Sequence, residues 1–375
     1  MSDMSDNHIH IVCFDVPYPA NYGGVIDVFF KIKALSERGM KIHLHVFEYG
    51  RPHAPLLEEL CYSVTYYKRD TSMKRALSRL PYIVCSRISK DLASNLKKDR
   101  YPILLEGLHC CGILLDEDFN DRRVFVRTHN VEHDYYRYLA NSERNIARKL
   151  FFLLESHKLR RFEPVLDKAT GLFAISKNDF DYFKEKYHDV SLIPAFSGFQ
   201  KVDVLEGQGD YALYHGKLDV AENYHAAEFL VREVFSGTDM RLKVAGMNPP
   251  PHLVSLVARE PNVELIDSPD DETMQNLIQN AHVNILVTAQ ATGLKLKLLN
   301  ALFNGRFCVV NSKMVAGLDV GPLCVVADAP SEIRSAVSRL MSQPFSKEQV
   351  EIRKREMERF HNSSENIDKM VGLLR

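Results

Sequence analysis

Short aliphatic runs alternate with longer amphipathic stretches along this chain. The run HIHIVCF over 8–14 precedes VIDVFFKIKALSERG, in which apolar residues recur at helical spacing until Gly39. A second aliphatic run, KIHLHVF, follows over 41–47. Alternating strands and helices of this kind predict an α/β fold built on parallel sheets.

The alternation is interrupted over residues 194–209, where Pro, Gly and polar residues collect, and it restarts at YALYHG. A chain of 375 residues is also longer than one typical core requires. We therefore expect an N-terminal Rossmann-like domain at 1–195 and a C-terminal one at 210–345. The charged stretch 346–375 is expected to form closing helices that cross back to the first domain.

Composition excludes several classes of protein. The formal net charge is −1, so no overall field favours nucleic acid. No apolar run reaches the roughly 18 residues that a membrane span requires, and the polar start MSDMSDNHIH does not resemble a signal peptide. Seven cysteines without a CxxC pair are typical of reduced thiols. These features predict a cytoplasmic protein.

Residues 68–100 form a basic segment, with ten basic and three acidic side chains. One interpretation is an ordinary solvated helix face. The other is contact with anionic lipid or a lipid-phosphate acceptor, which would make the protein peripheral on the inner face of the membrane. The sequence leaves both interpretations open.

The loop after the first predicted strand, PYPANYGG, ends with Gly23 and Gly24 just before a helix. Unpaired N–H groups at such a position favour an anion. The spacing is not GxGxxG and no acidic residue follows at the dinucleotide position, which disfavours nicotinamide binding. A plain tight turn explains the two glycines equally well.

A polar cluster follows the predicted strand RRVFVRT. Arg127, His129, Asn130 and Glu132 lie where that strand ends, and ligands of open parallel sheets collect at the carboxyl ends of strands. A histidine followed by Asn and an acid at this position predicts a site. A long helical stretch is expected over roughly 131–168, and His133 is the weaker candidate because this helix could simply expose it.

The stretch TGLKLKLLNALFNG predicts a helix with an anion site at its start. Its apolar face at helical spacing consists of Leu294, Leu298, Ala301 and Leu302. Thr292 and Gly293 open the helix, and Lys295 and Lys297 converge with the free N–H groups at its positive end, which suits a diphosphate. Asn300 is three residues from Lys297 and therefore its neighbour on the helix surface. In HGKLDVAENYHA, Lys217 follows a strand-ending glycine and is expected to face the same cleft.

A metal hydrolase is a weaker hypothesis. His8, His10, His43 and His45 come from two strands that are expected to be neighbours, and each HxH pair points to one face. However, no open ligand set with a placed general base is evident, so stacked strand histidines are the preferred interpretation.

In this order, the motifs resemble the GT-B glycosyltransferases of the group 1, or family 4, type, over roughly 8–345. RTHNVEHDYYRYL resembles their His-Asn-x-Glu segment, and TGLKLKLLNALFNGRFCVV their Gly-x-Lys-x-Lys helix. The resemblance implies two Rossmann-like domains facing across a cleft and a retaining, metal-independent transferase without a cofactor. Its partners would be a nucleotide-sugar donor and a glycan or lipid-linked acceptor.

The resemblance also implies residue roles. The diphosphate would be held by Lys217, Lys295 and Lys297, and His129 would contact the transferred sugar. Asn130 and Glu132 would lie on the acceptor and sugar side, and the Gly23–Gly24 loop would close over both substrates.

Two positions depart from the family pattern, because Thr292 and Asn300 stand where paired glutamates are expected. An Asn carbonyl can replace a glutamate as acceptor for ribose hydroxyls, but neutral hydrogen bonds are weaker than charge-assisted ones. Two alternatives therefore remain open beside the transferase. They are a catalytically impaired sugar-nucleotide-binding scaffold and a GT-B sugar-nucleotide epimerase.

Overall fold

The structure of the protein, a computed structural model, describes residues 7–20, 23–143, 145–199, 201–289, 296–316, 318, 320–360 and 363–375. This part of the chain divides into two compact units. Unit 1 contains residues up to 198 together with 363–375, and unit 2 contains residues 199–360.

Unit 1 is built on a parallel sheet, which has seven strands among the described residues, in the order β3-β2-β1-β4-β5-β6-β7. The strands are β1 (His8–Cys13), β2 (Lys41–Glu48), β3 (Ser63–Lys68), β4 (Ile103–Glu106), β5 (Val124–Thr128), β6 (Gly171–Ala174) and β7 (Val190–Leu192).

Helices connect these strands, because neighbouring parallel strands need a crossover connection. They are α1 (Gly23–Glu37), α2 (Pro55–Leu60), α3 (Met73–Ala76), α4 (Tyr82–Cys85), α5 (Lys90–Leu96), α6 (Glu132–Ser142), α7 (Ile146–Phe162) and α8 (Lys177–Lys184). Short 3-10 helices cover Leu108–Leu115, Glu117–Phe119 and Glu163–Lys168.

The sheet of unit 1 is buried on both faces, as expected when helices cover a parallel sheet. Along β1, Ile9 and Ile11 belong to one apolar cluster, whereas Val12 belongs to the cluster on the opposite face. Helix α1 ends just before Gly39, whose φ of 75° suits the left-handed position after a helix.

Unit 2 is also built on a parallel sheet, which has six strands among its described residues, in the order β10-β9-β8-β11-β12-β13. The strands are β8 (Ala212–His215), β9 (Leu242–Gly246), β10 (Val263–Asp267), β11 (Val283–Leu286), β12 (Phe307–Val310) and β13 (Val325–Val326). The helices are α9 (Ala221–Phe229), which continues into a π-helix (Leu230–Phe235), α10 (Pro251–Val257), α11 (Asp271–Asn280), α12 (Leu296–Asn304), α13 (Pro330–Met341) and α14 (Lys347–Phe360).

The last helix, α15 (Ser363–Leu374), belongs to unit 1, although α14 belongs to unit 2. Ile367 and Met370 are buried in the same apolar cluster as Ile32 of α1. Arg38 Nε, just after α1, donates to Asp368 Oδ1 at 2.7 Å. The predicted return of the C-terminal helix to the first half of the chain is therefore confirmed.

Some elements differ from the sequence prediction. The single helical stretch expected over 131–168 is wrong, because α6 and α7 are separate helices. The Asn145 side chain accepts a hydrogen bond from Arg148 N at 3.1 Å and so starts α7 as a new helix. The edge strands β3 and β7 were not predicted, because their short runs SVTYYK and VSL carry weak patterns.

The basic segment 68–100 does not form one cationic face. Arg87 is buried and donates to Phe14 O at 2.9 Å and Ile83 O at 2.8 Å. Arg75 pairs with Asp70 at 2.7 Å, and Lys97 pairs with two carboxylates of a neighbouring turn. Within the described residues, no helix has both the length and the apolar content that a membrane span needs.

Candidate functional site

In unit 1, the strand order reverses between β1 and β4, because the chain runs outward through β2 and β3 before returning. Ligands of open α/β sheets bind beyond the carboxyl ends of the strands at such a reversal. Phe14 follows β1, Gly107 follows β4 and His129 follows the adjacent strand β5. The polar cluster predicted at His129 therefore lies next to this reversal.

His129 is held by a carboxylate on the neighbouring strand. Its Nε2 lies 3.0 Å from Oε2 of Glu106, the last residue of β4. The ring of Phe14 meets the imidazole edge to face, with centroids 5.5 Å apart. Because a carboxylate accepts, Nε2 carries a proton and donates it, which leaves Nδ1 as the acceptor of the neutral ring. The imidazole side chain is 9% exposed.

Glu106 belongs to a buried cluster of four charged residues, Asp27, Lys31, Glu106 and Arg127, each at most 1% exposed. Lys31 Nζ donates to Asp27 at 3.1 Å and to Glu106 at 2.9 Å. Arg127 Nη2 donates to Asp27 Oδ1 at 2.8 Å. The buried cluster thus contains two acids and two bases, and each acid contacts a base, as buried charges require.

The two acids of the buried cluster have lowered pKa values. Burial opposes the charged form of Asp27, but Arg127 and Lys31 hold its pKa well below the usual range. Burial also opposes ionisation of Glu106, and Lys31 together with the His129 bond lowers its pKa. At neutral pH both carboxylates are therefore charged, and the cluster holds His129 through Glu106.

Asp27, Glu106 and His129 also have the spacing of a metal site, with ligand atoms within 4.8 Å of one another. Lys31 Nζ, however, contacts both carboxylates directly, at 3.1 and 2.9 Å. The ammonium supplies the positive charge that a metal would bring. The donor set is therefore better explained by the ion pairs that it makes.

Glu132, the first residue of α6, is 4% exposed. Burial, with a contribution from Asp179, raises its pKa to about 8, so the carboxyl group is mostly protonated at neutral pH. With Asn130 it lines a cavity of about 10 Å³, which is room for one water molecule and not for a sugar. The sugar-side roles expected for Asn130 and Glu132 stay predictions.

The glycine loop is described only in part. Helix α1 begins at Gly23, and Gly24 is its second residue, so their N–H groups belong to the first turn, where helices lack internal partners. Asp27 and Lys31 extend from the same helix into the buried cluster. The predicted anion-binding role of the two glycines stays a prediction.

In unit 2, the strand order reverses between β8 and β11. Gly216 and Lys217 follow β8 directly. Lys217 Nζ lies 3.6 Å from Asp219, with its side chain 55% exposed. The neighbouring strand β9 ends at Gly246, where a Cβ atom would lie 1.8 Å from Gly216 O, so only glycine fits this close approach. The loop after β8 is thereby fixed at the carboxyl edge of the sheet.

Lys297, on the first turn of α12, reaches this same edge. Its Nζ lies 3.4 Å from Oδ1 of Asn223 on α9 and 5.4 Å from the centroid of the Tyr214 ring. Asn223 in turn donates to Lys217 O at 2.9 Å. The structure therefore brings Lys297 to the loop that carries Lys217, although the two lysines are 80 residues apart in sequence.

Asn300 lies one turn further along α12. Its Oδ1 accepts from Asn304 Nδ2 at 2.8 Å, so one lone pair of the carbonyl that was proposed to meet ribose is already engaged. Leu298, Ala301 and Leu302 are buried, as the helical spacing predicted. Thr292, Gly293 and Lys295 lie outside the described residues.

Comparison with known proteins bears directly on unit 2. Residues 209–343 match the family of glycosyl transferases group 1. Most of unit 2 therefore resembles a group 1 glycosyl transferase domain. This match supports a glycosyl transfer activity and an enzyme of the glycosyltransferase kind.

Other similarities extend over nearly the whole chain. An uncharacterized 44.6 kDa protein in the cps region of Klebsiella pneumoniae is 28% identical over 324 residues, which are 81% of this chain and 82% of that protein. The sucrose-phosphate synthase of Thermosynechococcus elongatus superposes with a TM-score of 0.72 at 15% identity, over 98% of both chains. An α,α-trehalose-phosphate synthase from Burkholderia xenovorans gives 0.61 at 13% identity, over 98% of this chain and 99% of that one. The GT-B fold expected from sequence is confirmed.

Three members of the buried cluster, Asp27, Lys31 and Glu106, were not predicted from the sequence. The only available signal was the acid and base four residues apart within the apolar helix VIDVFFKIKAL. Also not predicted was His215 at the end of β8, which is 6% exposed and whose Nε2 has no partner among the described residues. Burial, followed by the charge of Lys297, lowers the pKa of His215 to about 3.

Two histidine predictions can be compared with the structure. His133 is not exposed, because Glu163 binds its Nδ1 at 3.0 Å and the residue is 5% exposed. The strand histidines stack as expected, with His8 and His43 bonded at 2.9 Å and His10 and His45 at 2.9 Å.

Proposed function

We propose that the protein transfers a sugar from a nucleotide-sugar donor to a glycan or lipid-linked acceptor, with retention of configuration and without a metal or a cofactor. The observation that carries the proposal is the position of Lys297 at the strand reversal of the group 1 domain, beside the loop of Lys217.

The donor's diphosphate is proposed to bind at this carboxyl edge of unit 2. Lys297 and Lys217 supply positive charge there, and Lys295 with the N–H groups near Thr292 and Gly293 would add to it. As the bond between the anomeric carbon and the diphosphate oxygen breaks, the leaving diphosphate gains negative charge. Fixed cations at that oxygen lower the barrier because they bind the transition state more strongly than the ground state.

The sugar and acceptor are proposed to use the carboxyl edge of unit 1. Glu106 fixes the imidazole of His129 by accepting from Nε2 at 3.0 Å, so Nδ1 is the atom available to accept a hydrogen bond from a sugar hydroxyl. Holding the ring in one tautomer and one orientation reduces the entropy lost when the sugar is positioned.

The acceptor class is proposed from the relative in Klebsiella pneumoniae, whose name places it in a cps region. A role in polysaccharide biosynthesis would supply a growing glycan or a lipid-linked intermediate as acceptor.

A thermal-shift screen against UDP-, GDP-, ADP- and TDP-sugars should identify the donor, because a ligand that binds the folded state stabilises it by RT ln(1 + [L]/Kd). Calorimetry with Lys297→Ala should then show at least tenfold weaker binding of the nucleoside diphosphate. Lys354→Ala is the matched control, since that lysine is exposed on α14 and pairs only with Glu351 among the residues described. Unchanged affinity in Lys297→Ala would remove this lysine from the site.

One observation favours a second function, a sugar-nucleotide-binding protein with impaired transfer. At the two positions where paired glutamates are expected the chain has Thr292 and Asn300, and the Asn300 carbonyl is bonded to Asn304. The two functions differ in turnover, because an impaired protein would bind the donor without releasing nucleoside diphosphate when acceptor is added.

A further inference from the structure

The first half of α7 presents an apolar stripe to solvent. Ile146 is 76% exposed, Leu150 55%, Leu153 41% and Leu154 62%. These positions follow the i, i+4, i+7, i+8 pattern of one helix face. Soluble proteins rarely leave such a face without a partner, so a contiguous exposed apolar patch indicates an interaction site.

Two more exposed apolar residues flank this helix, Met73 at 81% and Leu77 at 86%. Their segment is tied to α7, because Lys158 Nζ donates to Ala76 O at 3.0 Å and the rings of Tyr82 and Phe151 lie 6.3 Å apart. The docking surface is defined here as these six residues: Met73, Leu77, Ile146, Leu150, Leu153 and Leu154.

Basic side chains outnumber acidic ones around the docking surface. Segments 73–79 and 146–154 contain five basic residues and no acidic residue: Lys74, Arg75, Arg79, Arg148 and Lys149. Two of them are partly neutralised, since Arg75 pairs with Asp70 at 2.7 Å and Arg148 with Glu143 at 3.2 Å. Lys74, Arg79 and Lys149 are exposed. The surface is therefore apolar with a cationic rim.

The apolar surface with its cationic rim distinguishes between two partners, a second copy of the chain and an anionic bilayer. In a two-fold dimer the same surface would face itself, and the cationic rims of both copies would oppose one another. An anionic bilayer instead accepts apolar side chains at the acyl boundary and attracts the rim through its phosphates. Charge complementarity thus favours the membrane over a second copy.

We propose that the docking surface binds the protein peripherally to an anionic lipid bilayer, with α7 lying in the interface and its apolar stripe entering the acyl region. The acceptor part of this inference rests on the proposed function. Helix α6 joins the His129 segment to α7 and has 11 residues, which is about 16 Å at 1.5 Å per residue. A lipid-linked acceptor could therefore reach the candidate sugar site from the same membrane.

The test is co-sedimentation of the full chain with vesicles of phosphatidylcholine alone and of phosphatidylcholine with phosphatidylglycerol. The full chain should bind the anionic vesicles and bind neutral ones more weakly, with binding reduced by salt. The double variant Leu150→Glu/Leu154→Glu should bind anionic vesicles at least tenfold more weakly. Lys74→Ser should lower binding to anionic vesicles by about fivefold and leave binding to neutral vesicles unchanged.

Val254→Glu is the matched control, because Val254 is a 44% exposed apolar residue on a helix of unit 2. It should bind vesicles like the unmodified chain. Unchanged binding of the double variant, or no vesicle binding by the unmodified chain, overturns the proposal. A dimer in light scattering that the double variant dissociates, without vesicle binding, assigns the surface to a second copy instead. Donor thermal shifts on the same samples report the proposed function separately, because unit 2 is unchanged in the double variant.

Discussion

Replacing Glu106 with Gln tests the buried cluster that holds His129. The Glu106 carboxylate is fully buried and accepts from Lys31 at 2.9 Å and from His129 at 3.0 Å. Gln keeps the shape of the side chain but removes the negative charge. Asp27 is then the only carboxylate of the buried cluster that balances the charges of Lys31 and Arg127. Breaking a buried ion pair on one side costs about 3–5 kcal/mol. We expect the unfolding free energy to fall by that amount, a large part of the about 5–15 kcal/mol typical of a domain.

A second substitution tests whether the lost charge balance causes the fall in stability. Lys31→Met removes one cation with a side chain of similar length, so the double variant Glu106→Gln/Lys31→Met is neutral again. We expect its unfolding free energy to exceed the value from adding the two single effects by at least about 1 kcal/mol, as coupled neighbours show.

Denaturant unfolding followed by far-UV circular dichroism provides the measurement, since the chain contains no Trp. Glu351→Gln is the control, because Glu351 makes an exposed pair with Lys354 on α14, and it should cause no measurable change. If the effects of Glu106→Gln and Lys31→Met on the unfolding free energy are strictly additive, charge balance does not explain the stability of the buried cluster. A Glu106→Gln protein as stable as the parent would have the same consequence.

Three other predictions concern acid stability and the two candidate substrate sites. Burial lowers the pKa of His45 to about 3, below the usual 6.5, so the unfolded chain binds more protons and stability must fall as pH drops from 6.5 towards 3. The loss at pH 4.5 should reach about 2–3 kcal/mol by denaturant titration, and a His45→Gln protein with the same pH slope would contradict it. Asn300→Glu should leave donor affinity intact or strengthen it in calorimetry, because a carboxylate accepts ribose hydroxyls more strongly than an amide; a large loss would indicate a site rebuilt for another donor. His129→Ala should lower kcat at least tenfold while donor Kd changes little, and equal turnover would show that the imidazole has no role in transfer.

Much of the fold could be predicted from local sequence. The helical spacing of Leu298, Ala301 and Leu302 correctly gave the buried face of α12. The paired HxH runs correctly gave two adjacent strands with stacked histidines. These features succeed because each depends on spacing within one element or between neighbouring strands.

Contacts between distant segments could not be predicted in the same way. Lys31 and Glu106 are 75 residues apart, and nothing in either segment specifies their pairing before the strand order is known. The break before α7 was missed because Asn145 acts through a cap rather than through periodicity. The apolar stripe of α7 has the sequence pattern of a core-facing helix, so only the structure shows that its side chains are exposed to solvent.

Hydrogen–deuterium exchange with the donor from the thermal-shift screen tests whether the diphosphate binds at the proposed edge of unit 2. If unit 2 binds a nucleoside diphosphate where its strand order reverses, amides over 216–223 and 296–304 should exchange more slowly with donor than without it. The same donor added to Lys297→Ala should give little protection at either segment. Protection confined to other parts of unit 2, or none at a saturating donor concentration, would contradict the account.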